Sequence, residues 1–159
     1  MLREYLRLAR PFLVLLALFA IGRWTMGLMG VDYTKGHHVF SLVTLTQLGA
    51  AFYAAFARRW LGYPIMRSVG LGMTLGLCAQ IVIFTLTLFS YLLGMNTYFN
   101  HPTALNAEGP VAFGPAMGGR LGGLIANTLF AGIAAALGWF FGGALPDSAP
   151  PAPRRETVG

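Results

Sequence analysis

Charge is scarce in this sequence, and acidic charge scarcest of all. Of 159 residues only 10% are Asp, Glu, Lys or Arg, and just five are acidic. A soluble domain carries roughly a quarter of its residues as charged side chains, so an ordinary aqueous surface is excluded. Exposed to water, this composition would leave large apolar patches that drive aggregation. Cysteine is nearly absent too. Cys78 stands alone, which excludes an intrachain disulfide, a CxxC site and a thiolate metal cluster. Zinc spacing such as HExxH is missing, as are GxGxxG or GxxxxGK[ST] after a strand-like run. No pair of acids suited to hydrolysis stands out.

What the chain has instead is apolar length. Hydrophobic residues make up 56% and the mean hydropathy is +0.64. The natural solvent for such a chain is lipid. Eleven Lys and Arg give a formal charge of +6, but they lie mainly at the ends of apolar runs. That placement points to anionic lipid and topology control, with no nucleic-acid partner.

Four apolar runs are legible. The first extends from about Pro11 to Val31 and is interrupted by Arg23. Its opening resembles a signal peptide, with Ala20-Ile21-Gly22 as a poor small-x-small site, and is read as an uncleaved span. The second, Val39 to Ala57, stops at Arg58-Arg59. The third follows Arg67 and persists through Met95; the fourth begins near Gly118 and ends before Pro146. The expected fold class is an all-α integral membrane protein, a four-transmembrane-helix bundle with a long outer loop between helices 3 and 4. Continuous runs of this length exclude membrane β-strands. Residues 1–145 form a single domain, and 146–159 are expected to be a disordered, Pro-rich cytoplasmic tail.

Basic residues set the orientation. Arg3, Arg7, Arg10, Arg58, Arg59, Arg67, Arg154 and Arg155 fall on one side; Lys35, Arg120 and Arg23 fall on the other. The positive-inside rule then places both termini in the cytoplasm and the chain in the cell membrane. Tyr5, Trp60 and Tyr63 fit the inner aromatic belt, and Tyr33, Tyr91 and Tyr98 the outer one.

Small residues recur at helical spacing in every run, notably Gly72, Gly76 and Ala79 in the third and Gly119, Gly123 and Ala131 in the fourth. These stripes predict close helix packing, with Gln47, Gln80 and Asn127 facing protein. Arg23 is the strongest anomaly, about 12 Å from the outer end of its helix. It is expected to snorkel beside Trp24, to pair with Asp32 or Glu108, or to bind an anionic group. Arg23, Gln47, Gln80 and Asn127 thus form a candidate intramembrane site. Asp32, His37, His38, His101 and Glu108 form a candidate outer-face site without metal-ligand spacing. No cofactor is implied.

The leading expectation is a non-enzymatic, multi-pass accessory or scaffold subunit, in contact with the bilayer and with another membrane subunit or a second copy. The competing readings are a small transporter or channel, and a lipid- or quinone-binding enzyme or redox component.

Overall fold

A computed structural model describes residues 1–146. The expected tail, with Arg154 and Arg155, lies outside the described residues apart from Pro146. Within them the regular structure is all helical. Helix α1 is Leu2–Leu8 and α2 Arg10–Leu28. Pro11 sits in the first turn of α2, where its missing N–H would have no intrahelical partner anyway. A single turn, α3 (Tyr33–Gly36), is capped by Asp32, whose carboxylate accepts from Thr34 N at 2.8 Å. Helix α4 is Leu42–Leu61, capped by the Ser41 hydroxyl and closed by Gly62 at φ 66°. That left-handed conformation is one that glycine adopts freely. Helix α5 is Ile65–Leu92; α6 is Phe113–Gly142. The outer loop between them contains a short 3-10 helix, Pro102–Leu105.

The four-transmembrane-helix expectation is overturned. Among the described residues, three helices are long and apolar enough to cross a membrane: Arg10–Leu28, Ile65–Leu92 and Phe113–Gly142. Helix α4 is not. The 19-residue apolar run does not become a 19-residue span. Phe40 takes a positive φ and Ser41 caps the helix, so helical structure starts only at Leu42. From there to Ala57, before Arg58, is roughly 24 Å of helix, short of a hydrocarbon core of about 30 Å. Thr44, Thr46 and Gln47 dilute it further. With three such spans, counting crossings no longer places both termini on one face. The sequence also starts the last helix five residues late. Pro115 lies in the first turn of that helix, where proline is tolerated.

Where α6 meets α4 and α5 the contacts are made by small residues, and the large residues of α6 point outward. A Cβ added at Gly76 would lie 2.8 Å from the Ala131 methyl and 3.0 Å from Thr128 Cα. At Gly72 it would meet Ala135 and the Ala131 carbonyl, and at Gly142 the backbone of Ala55. Ala50, Ala54, Ala131 and Ala135 are fully buried between α4 and α6. Outward, α6 shows Leu121, Ile125, Leu129, Ile133, Leu137 and Phe141. Such an inside-out distribution suits lipid contact, where helices associate through close packing without a hydrophobic drive. The chain is a small all-α protein with several membrane-length apolar helices, of the kind embedded in a bilayer in multiple passes. Helix α2 joins through Phe12, Leu16 and Ala20, packed with Leu42, Leu75, Ala79, Ile83 and Phe99.

The two ends of the bundle differ in chemistry. At one, the Tyr63 hydroxyl donates to Glu4 at 2.5 Å and Arg67 donates to the same oxygen at 2.6 Å. Arg58 stacks 3.8 Å over the Trp139 ring and donates to the Trp139 carbonyl at 2.7 Å. It thereby satisfies a carbonyl at the C-terminal end of α6 that the helix leaves open. Trp139 Nε1 in turn donates to the Tyr63 carbonyl. Helix α1 and the end of α6 therefore lie at the same, arginine-rich end.

Candidate functional site

At the opposite end the outer loop folds back across the helices. Its anchor is Phe99, only 1% exposed, with its ring against Trp24. Gly27 lets the loop cross α2, since a Cβ there would lie 2.6 Å from Tyr98 N. The Tyr98 hydroxyl donates to the carbonyls of Val31 and Asp32, at 3.0 Å each. Burial pushes its phenol above the ordinary tyrosine range. Asn100 closes the turn by accepting from Thr97 N and donating to the Met95 carbonyl. Buried Ser90 and Thr97 hydroxyls meet at 2.7 Å. The loop is a tied cap, as its Asn, Pro and Gly content favours.

Under this cap sits a cavity of about 220 Å³. Arg23, Tyr33, His37, His38, Ser41 and Arg120 supply its polar lining, with Leu42, Val43, Ile83 and Ala104 completing the wall. Arg23 reaches in from α2. Its Nη1 donates to the His37 carbonyl at 3.1 Å and its Nη2 to the Tyr33 hydroxyl at 3.2 Å. Its guanidinium lies 5.6 Å from the Tyr33 ring centre and 5.5 Å from that of Tyr98, within cation–π range. Arg120 enters from α6. Its Nε donates to the Thr87 hydroxyl at 3.0 Å and its Nη2 to the Phe99 carbonyl at 2.6 Å.

Neither guanidinium pairs with a carboxylate among the described residues. The pairing of Arg23 with Asp32 or Glu108 does not form. Asp32 turns to Thr34, accepting from its hydroxyl at 2.6 Å as well as from its N–H. Those bonds hold its carboxyl below the ordinary aspartate range. Glu108 stays exposed on the loop. No protein family matches this chain. Neither does any curated protein or solved structure.

The structure brings together part of each expected set. His37 and His38 line the cavity beside Arg23, their rings 3.7 Å apart between centres. His101 lies outside the lining but stacks on Tyr33 at 4.4 Å. Among the described residues, no group of three His, Cys, Asp or Glu is placed to hold a metal ion. Gln80 is buried. It lies beside Gly123 on the α5–α6 seam, and Asn127 donates to the Gly123 carbonyl at 3.0 Å. A second cavity of about 250 Å³ reaches from Asn106 on the loop past Arg120 to Asn127. Gln47 is half-buried on α4 and lines neither cavity.

Sequence reasoning missed Arg120 as a site residue, using it only as a topology marker. The signal was available. Once α6 starts at Phe113, Arg120 lies about 10 Å inside the last helix, a second intramembrane arginine facing the first. Ser41 and Phe99 carry no sequence signal of their own and Tyr33 only that of an aromatic belt, because only the folded loop brings them to the arginines. The arrangement as a whole presents guanidinium, hydroxyl and imidazole groups to one small space. It pairs no nucleophile with a positioned base.

Proposed function

We propose that the chain is a non-enzymatic accessory or scaffold subunit of a membrane complex, docked through the outer half of α6. One observation carries this reading. Gly114, Gly118 and Gly122 recur every fourth residue along α6, all exposed, and a Cβ added at any of them meets nothing within 4 Å. Glycine inside a helix costs about 0.5–1 kcal/mol relative to alanine. Gly132, Gly138 and Gly142 on the same helix offset that cost by letting α4 and α5 approach. The outer three have no such contact among the described residues. Small residues at this spacing form a flat strip on which a second membrane helix packs closely, and the occupant is a helix of a partner subunit.

Alanines filling the α4–α6 seam at the arginine-rich half favour packing over conduction. That arginine-rich end, with α1 and the end of α6, faces the cytoplasm by the positive-inside rule.

Sizing and cross-linking of the protein extracted from its native membrane in mild detergent test the proposal. The expected particle exceeds one chain in mass, and Gly118→Leu with Gly122→Leu reduces it to the monomer. A monomeric wild-type particle, or an assembly untouched by the double variant, would sink the reading.

A further inference from the structure

The outer cavity has a property the accessory role does not require. Two arginines enter it without a carboxylate, from helices that both lie among the three apolar spans. An uncompensated charge withdrawn from water is costly and needs a counter-charge. Like charges facing one space raise that cost. The described acidic residues do not supply the counter-charge. Glu4 is bound to Tyr63 and Arg67 at the far end, Asp32 is occupied by Thr34, and Glu108 is exposed on the loop.

The donors are also underused. Each guanidinium has five N–H groups, and the contacts above engage only two atoms of each. Those contacts are to carbonyl and hydroxyl oxygens, which orient the forks but leave the charge in place. Ser41 and His38 stand on the same lining. The arrangement is rich in donors and poor in acceptors, the complement of an oxyanion.

We propose that this cavity is a binding site for a phosphoryl group, held between Arg23 and Arg120. Phosphate suits the donor set better than carboxylate, because its third oxygen gives the second guanidinium an acceptor of its own. Volume limits the ligand. About 220 Å³ is below the roughly 300–1,000 Å³ of pockets that enclose whole drug-sized molecules. A phosphoryl group enters, and anything attached to it lies outside the cavity. The same chemistry arrives as free phosphate or as a phosphomonoester lipid headgroup, and the experiment separates the two. It does not depend on the α6 docking face, because the cavity is complete within one chain.

Full-length protein in mild detergent is titrated with inorganic phosphate against chloride at constant ionic strength, by calorimetry. In parallel, protein in phosphatidylcholine nanodiscs with and without phosphatidic acid is released for native mass spectrometry. Binding in both arms, or to phosphate alone, supports the site for a free anion. Retention of phosphatidic acid alone supports the lipid headgroup. Arg23→Gln and Arg120→Gln each weaken binding at least tenfold. Ala104→Leu does the same by filling the cavity with both arginines intact, and it decides the matter where an arginine variant fails to fold. Arg3→Gln with Arg7→Gln and Arg10→Gln, at the far end, removes more charge and leaves binding within twofold. No binding in either arm overturns the proposal. Binding that survives both Ala104→Leu and the arginine variants, or that falls with the far-end variant instead, also overturns it.

Discussion

Individual side chains here act chiefly by finishing the ends of helices. Arg58 closes the carbonyl end of α6, Asp32 opens α3, and Glu4 pins α1. Glu4 is exposed, yet its carboxyl is held below the ordinary glutamate range, first by the hydrogen bond from Tyr63 and then by that from Arg67. A carboxyl whose folded value is lowered contributes stability above its unfolded value, near 4.3. That contribution is lost as pH falls through the lower folded value. Docking of α1 should therefore be constant near neutrality and weaken in acid below about pH 4.3. Hydrogen exchange of the α1 amides, followed from pH 7 downward, should show protection falling in that window. Glu4→Gln should exchange faster at neutrality and lose the pH dependence; an unchanged acid profile in that variant would assign the effect to another group. None of this was legible in the sequence. Glu4 and Tyr63 are 59 residues apart, and their meeting depends on how α1 folds over the turn between α4 and α5.

At the scale of elements, the small-residue stripes were legible and the helix limits were not. Gly72, Gly76, Ala79, Gln80 and Thr87 share one face of α5 by spacing alone, and all five are buried. Helical periodicity needs no tertiary knowledge. The α4 limits failed for a local reason: an apolar run continues through Phe40, but the backbone does not stay helical there. Composition reports solvent preference and is blind to a single φ. The stripe makes a graded prediction. Gly76→Leu forces a large side chain where even a methyl would lie 2.8 Å from the Ala131 side chain, and overpacking costs about 1–3 kcal/mol. Gln80→Leu keeps the bulk and removes only the amide, and hydrogen bonds between membrane helices average about 0.6 kcal/mol. Unfolding in detergent should show a clear loss for Gly76→Leu and a smaller change for Gln80→Leu. Wild-type stability in both variants would mean that α5 and α6 separate at little cost.

Across the whole molecule, the two ends were partly legible because charge is so rare that its position carries weight. Arg3, Arg7, Arg10, Arg58 and Arg67 separate in space from Arg23, Lys35 and Arg120, as their order along the apolar runs implies. The outer cavity was legible only in pieces. Arg23, His37 and His38 were named from sequence, but their relation to Arg120 arises when a loop of distant residues closes over α2 and lodges Phe99 between the helices. The number of spans is what the sequence misjudged, and orientation must now be tested without it. Two exposed positions serve: Met66, 78% exposed at the start of α5, and Thr103 on the outer loop. Each is replaced by cysteine in a Cys78→Ala background and probed in intact cells with a membrane-impermeant thiol reagent. The arginine asymmetry predicts labelling at Thr103→Cys from outside, and at Met66→Cys only after the cells are opened. The reverse pattern would turn the molecule over and place the cavity on the cytoplasmic face. Labelling of both from outside would mean that α5 does not cross the bilayer, despite its length and its apolar surface.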